Sequence, residues 1–184
     1  MIDLMTDIAK ANVLLSHIEK GAPKAINSAL NRTIDGVRTD ITKQVTATYD
    51  IKAKPVRASM KITRSSMSTL QAAVSGAGSP IPLINFHVTP NKPGKQAPGT
   101  ILRASVKKSG GKPIPDAFVQ KMSSGHEGVF KRGGKERLPV KEFYGPSVPQ
   151  MMGEEKIQKQ IIESAGERFS NRIDHEIERL LAKE

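Results

Sequence analysis

Nine cations, Lys92, Lys95, Lys107, Lys108, Lys112, Lys131, Arg132, Lys135 and Arg137, fall in or beside Gly- and Pro-rich connections. Flexible cations of this kind neutralise the phosphates of a polyanion without reading its sequence, so contact with nucleic acid is the chemistry they could do. A charged run more commonly just solvates a fold, and the distribution of charge decides how much weight it carries. Residues 1–51 hold 6 basic and 6 acidic side chains, residues 52–144 hold 17 and 4, and residues 145–184 hold 6 and 8, within a total of +11. The flanks are neutral or acidic, so the chain is a dipole rather than a uniformly basic body. Base-specific readout has no support. No zinc motif, basic zipper or helix-turn-helix is present, and two Tyr, five Phe and no Trp cannot build an RNA-recognition sheet.

Catalytic chemistry finds fewer parts. The chain has no cysteine, which excludes disulfides, thiolate zinc sites, iron–sulfur clusters and thiol nucleophiles. No Gly-x-Ser-x-Gly occurs, and His17, His87, His126 and His175 lack His-Glu-x-x-His spacing, so they read as surface or capping residues. Gly133-Gly134-Lys135-Glu136 imitates a phosphate loop but sets Glu where a hydroxyl must reach magnesium. Gly76-Ala77-Gly78 lacks the third glycine and the following helix of a dinucleotide site. Glu154/Glu155 and Glu163/Glu167 sit among Lys and Arg on helical faces, where solvated pairing four residues apart is the expected role. No catalytic, cofactor or metal site is expected.

The elements that must carry those cations follow from hydrophobic period. Leu4, Ile8, Ala11, Leu15 and Ile18 recur at helical spacing up to Gly21; Ile26, Leu30, Ile34 (or Thr33), Val37, Ile41, Val45 and Tyr49 continue beyond Pro23 in a helix of roughly 40 Å. Gly36 and several threonines are poor helix formers, so this helix depends on packing along its stripe. From Pro55 the period becomes two, in Met60/Ile62, Leu70/Ala72/Val74, Ile84/Phe86/Val88, Leu102/Ala104/Val106 and Phe118/Gln120/Met122, with Val129–Arg132 as a further strand. Residues 89–100 contain no large apolar side chain and read as an exposed loop. Ile157, Ile161, Ala165, Phe169, Ile173, Ile177 and Leu181 then mark a second long helix, with Glu154 and Glu155 at its start. The expected fold is α+β: a small antiparallel sheet packed against long N-terminal and C-terminal amphipathic helices. At 184 residues one domain is expected, helical over 1–51, basic and β-rich over 52–144, and helical again over 145–184. The N-terminus lacks the basic region of a secretory signal and no apolar run spans a membrane, so a soluble protein suited to a reducing cytoplasm is expected.

Several short segments together resemble one family. They are Ala29-Leu30-Asn31-Arg32; a basic segment over Lys52–Arg64; Ile114-Pro115-Asp116-Ala117-Phe118-Val119-Gln120; Gly125-His126; Val129-Phe130-Lys131-Arg132; Arg137-Leu138-Pro139-Val140; and Gly145-Pro146-Ser147-Val148-Pro149. Their order and spacing over roughly residues 22–150 resemble the minor tail protein Z family of tailed bacteriophages, the tail-completion proteins of lambda-like phages. Unlike lambda-type members the chain has no dense arginine cluster. The resemblance implies a structural subunit without enzyme activity at the head-proximal end of the tail, the neck of the virion, made in the host cytoplasm. Its implied partners are the tail terminator, the tail tube and the head–tail connector, with weak, non-specific contact to genomic DNA in the channel and none to a membrane.

The terminal helices carry more apolar length than a small sheet covers, so a homo-oligomeric ring is expected, with Ile173, Ile177 and Leu181 as interface candidates. The alternative is a stand-alone, non-sequence-specific DNA-binding protein. Oligomeric state separates the two.

Overall fold

The computed structural model describes residues 4–94 and 100–183. The order of elements is α1 (Leu4–Leu14), α2 (Gly21–Thr48), α3 (Ala53–Ala58), β1 (Met60–Thr63), β2 (Ala73–Gly76), β3 (Ile81–Pro82), a 3-10 turn (Leu83–Asn85), β4 (His87–Thr89), β5 (Leu102–Ser105), β6 (Lys112–Ile114), β7 (Ala117–Lys121), β8 (Glu127–Arg132), β9 (Val140–Glu142), β10 (Tyr144–Gly145), α4 (Val148–Met152) and α5 (Glu155–Leu181). This is a mixed α+β fold with long helices near both ends. The chain forms two compact units: Met1–Gln44, Met60–Gly76 and Met152–Glu184 make one, Val45–Ser59 and Ala77–Met151 the other.

The first unit is helical. Ala11 and Leu15, Ala22, Ala25, Ile26 and Ala29 of α2, and Phe169, Ile173 and Ile177 of α5 form its core. Four of these nine are alanines, which let helices approach closely while the larger chains of α5 fill the space between them. Gly36 serves the same end by another route. A β-carbon there would overlap the Arg168 side chain, which crosses α2 at this point so that its Nη2 donates to Asp40 at 2.7 Å. The residue that weakens the helix in the sequence is thus the one that admits an ion pair.

The hairpin β1–β2 belongs to this unit, paired from Met60↔Gly76 to Thr63↔Ala73. Asn31 docks it on α2, its Nδ2 donating to the Ser65 carbonyl at 3.0 Å and its Oδ1 accepting the Ser65 N–H at 2.9 Å. One turn on, Asp35 accepts both arms of Arg64 at 2.9 and 3.2 Å. Glu176 is fully buried on α5, bonded to Arg179 at 2.7 Å and facing Arg32 of α2 at 3.3 Å. Burial pushes its carboxyl up, but hydrogen bonds from Arg179 and Ser28 and the charges of Arg179 and Arg32 outweigh that and hold it below the ordinary carboxylate range.

The second unit is built on two three-stranded antiparallel sheets, β4-β5-β6 and β7-β8-β9, with β3 paired to β10. Alternation places Leu102 and Ala104 of β5 and Ala117 and Val119 of β7 inside and Arg103 and Gln120 outside. Pro113 fits because β6 is an edge strand. Bridges Tyr49↔Lys107 and Ile51↔Phe86 tie the chain leaving α2 to this sheet. In Ser147-Val148-Pro149-Gln150 the Ser147 hydroxyl accepts the Gln150 N–H at 3.4 Å and the Gln150 side chain accepts the Ser147 N–H at 2.8 Å, a reciprocal cap that starts α4.

Several expectations shift in detail. The first helix stops at Leu14 instead of Ile18, and Gly21 opens α2 instead of ending α1. Leu70 has φ +45° and lies in a turn, so the strand begins at Ala73. Leu83–Asn85 is a 3-10 turn, leaving His87–Thr89 as strand, and Pro55 lies inside α3. The one sheet expected is four small ones, because Gly and Pro interrupt every run before it can widen.

Candidate functional site

The two units differ sharply in charge. By sequence the helical unit holds 14 Lys and Arg against 13 Asp and Glu, net +1, and the β-rich unit holds 15 against 5, net +10. Every described cation of the nine belongs to the β-rich unit. Lys95 lies outside the described residues.

The described cations are spread over two hairpins and one loop. Lys92 is exposed beyond β4. Lys107 and Lys108 sit where β5 turns toward β6; the Lys107 ammonium lies 5.4 Å from the centre of the Tyr49 ring, and the Lys108 N–H donates to the Thr48 carbonyl at 3.0 Å, fixing the backbone beneath an exposed side chain. Lys112 is exposed on β6. On the other hairpin Lys131, half-buried in β8, reaches Asp116 at 3.4 Å, and the Arg132 guanidinium lies 5.7 Å from the Phe118 ring centre. Lys135 and Arg137 are exposed in the β8–β9 connection, which the Gly133 N–H closes onto the Pro139 carbonyl at 2.9 Å. Short turns hold the main chain here; Lys107, Lys131 and Arg132 rest on Tyr49, Asp116 and Phe118, while Lys92, Lys108, Lys112, Lys135 and Arg137 are exposed, an arrangement that suits a mobile polyanion.

Sequence reasoning passed over Lys141, which stands directly opposite Lys131 in the β8–β9 register. Like charges directly opposed destabilise a ladder, and Asp116 offsets only the Lys131 side of this pair. The signal was the short alternation Val140-Lys141-Glu142, hidden by its length. Lys52, Lys54 and Arg57 on or beside α3 also belong to this unit and are exposed.

A second constellation was invisible in the sequence. His126 Nε2 lies 2.7 Å from Glu142 Oε1, and the Tyr144 hydroxyl donates to Glu142 Oε2 at 2.7 Å. That bond, with some burial, pushes the Tyr144 phenol above its ordinary value. Gly128 leaves the room, since a β-carbon there would press on the Glu142 carboxylate and the Phe130 ring. The expected surface histidine is exposed, and it also fastens the β7–β8 turn to β9. Among the described residues no group of three or more His, Asp or Glu could hold a metal, and no helix is long and apolar enough to cross a membrane.

The family model described as prophage minor tail protein Z matches residues 7–183, which takes in both units. The chain belongs to this minor tail protein Z family. It is a bacteriophage tail protein, a component of the virion. Comparison with curated proteins and with solved structures found no match.

In this minor tail protein the motif residues hold structure together. Ala29 is in the core, Asn31 docks the β1–β2 hairpin, Arg32 faces Glu176 and Ser147 caps α4. The three interface candidates differ in burial within one copy. Ile173 is fully buried and Ile177 is 3% exposed, both packed in the protein's own core with residues of α1 and α2. Leu181, at 38%, is exposed near the helix end. Ile162 of α5 is more exposed, at 71%.

Proposed function

We propose that this minor tail protein is a non-enzymatic tail-completion subunit at the neck, where several copies form a ring whose β-rich units face the DNA channel. One observation carries the reading: the charge excess coincides with a structural unit, +10 against +1. A channel through which DNA must move gains from cations that neutralise phosphate without gripping a sequence, and tight binding would hinder passage. Lys107, Lys108, Lys112, Lys131, Arg132 and Lys141 suit that role because their backbones are fixed by turns and ladders. The neutral helical unit then faces protein, namely neighbouring copies and the terminator, tube and connector proteins of the junction. No turnover is expected.

The test is charge reversal of Lys107, Lys108, Lys131 and Arg132 together. Particles carrying that variant should assemble but lose or retain DNA differently from wild type, and the isolated protein should lose a weak DNA affinity whose logarithm falls with log salt by about 0.9 per phosphate contacted. Unchanged DNA retention and ejection would remove the channel-facing assignment. Salt-sensitive binding by an isolated single copy, with tails completed in its absence, would favour a free DNA-binding protein instead.

A further inference from the structure

The helical unit contains an apolar groove of about 740 Å³ with Leu30, Ile34, Val37, Leu70, Ile162 and Phe169 among its walls. Its rim carries Glu163 and Glu167, with Lys159 a turn before them. Both glutamates are exposed and neither has an ion pair among the described residues. They stand four residues apart on α5, a spacing at which like charges repel; Lys159, four residues before Glu163, offsets one of the two charges and Arg168 is committed to Asp40, so the rim keeps a net charge of −1. A cation from outside would relieve them.

The β-rich unit carries a feature of matching chemistry. In the β8–β9 connection Leu138 is 67% exposed, next to exposed Arg137 and three residues after exposed Lys135; exposed Glu136 lies between the two cations, so the segment carries a net charge of +1, and neither cation has an ion pair among the described residues. A phosphate backbone uses the two cations but gains nothing from a bare leucine beside them. An apolar wall edged by carboxylates uses all three. We propose that the β8–β9 connection of one copy docks in the α5 groove of a second copy, Leu138 entering the groove and Lys135 and Arg137 meeting Glu163 and Glu167. This rests on the reading that copies assemble, and it moves Lys135 and Arg137 from the DNA-facing set to the protein-facing one. The contact is heterologous, loop to groove, the type that generates a ring when the rotation closes. An apolar anchor inside a charged rim supplies both affinity and register.

The experiment places a photo-crosslinking benzophenone amino acid at position 138 of the full chain, in solution and in assembled tails. It is paired with Glu163→Lys/Glu167→Lys, Lys135→Glu/Arg137→Glu and the chain carrying all four. The expected result is a cross-link from position 138 to the α5 peptide around Ile162 and Phe169 of another copy. Each double variant should lose at least tenfold in self-association, and the fourfold variant, with both charges exchanged, should regain most of it. Leu138→Asp should lose association with the groove intact, which guards against a groove variant that fails to fold. Cross-links elsewhere, no cross-link, or a fourfold variant as weak as its parents would overturn the docking. If assembly persists through all of these, the contact is wrong and the ring reading stands; if wild type stays single in solution and uncross-linked in tails, both fall.

Discussion

The helical unit balances its charge internally and the β-rich unit does not. In the first, Arg168–Asp40, Arg64–Asp35, Lys10–Asp174 and Arg32–Glu176–Arg179 join elements far apart in sequence, and the unit is left near neutrality. In the second, 5 acids face 15 cations, and Lys131 stands opposite Lys141 across a ladder. The β-rich unit also makes ion pairs, Lys121–Glu127 and Lys131–Asp116 among them, but has too few acids to match its cations. Removing a charge or a core group from the helical unit should therefore destabilise the protein, and removing a cation from the β-rich unit should not.

The largest effect is expected at Ile173, because it separates core from interface. Ile173→Ala should lower unfolding free energy by about 3 kcal/mol in urea titrations of the dilute protein, the range for an apolar side chain deleted from a packed core. A loss below about 1 kcal/mol there, with defective assembly, would return Ile173 to the interface.

Glu176 comes next. Glu176→Ala removes a buried carboxylate from two arginines that stay partly solvated, and should cost about 2 kcal/mol at neutral pH, the range for hydrogen bonds to a charged group. The sign of the pH dependence follows from its lowered value: the stabilisation is fully present above the unfolded carboxyl value of about 4.3 and is lost as pH falls through the lower folded value. The gap between wild type and variant should therefore narrow below about pH 4. A gap that stayed constant into acid would show that the ion pair contributes nothing.

At Gly36 propensity and packing oppose each other. Alanine gains about 1 kcal/mol in a helix interior, yet its β-carbon would displace Arg168 from Asp40. Gly36→Ala should destabilise by about 1 kcal/mol net, an effect that needs a cause beyond propensity. With Arg168→Ala already in place the same change should stabilise. That reversal of sign, read by thermal denaturation, is the check.

Much of this contrast was legible in the sequence, and what was not has physical reasons. The stripes of α2 and α5 run through many turns, so period alone revealed them, and alternation marked Leu102–Ser105 and Ala117–Lys121 as strands. Three-residue strands such as β6 and β9 carry too few alternations to register, and their existence depends on a neighbour to pair with. The excess of cations was visible as composition, but the boundary of the unit that holds it was not. Met60–Gly76 belongs with the helices because Asn31 bonds Ser65, a contact between residues 34 positions apart. His126 and Glu142, 16 apart, likewise meet only once β7, β8 and β9 are in register. What covers Ile173 was hidden for a related reason: a stripe shows which face is apolar, and only the packing shows that residues of α1 and α2 share its core.

The smallest effect is the one that tests the other side of the comparison. Lys141→Ala removes one of two cations opposed across β8 and β9, and Lys131 keeps Asp116 at 3.4 Å. Relief of the repulsion should stabilise the protein by roughly 0.2–1 kcal/mol at low ionic strength. Because Lys141 is exposed, the gain should fade as the Debye length shrinks to about 3 Å at 1 M salt. The same substitution removes a cation from the face proposed to meet DNA, so the slope of log affinity against log salt should fall by about 0.9, the weight of one phosphate contact. Stability and binding would then move in opposite directions from one side chain, as expected where charge is retained for a partner and not for the fold. A variant that loses stability at low salt, or keeps the full slope, would mean that the excess of the β-rich unit is balanced within the protein after all, and the distinction between the two units would rest on composition alone.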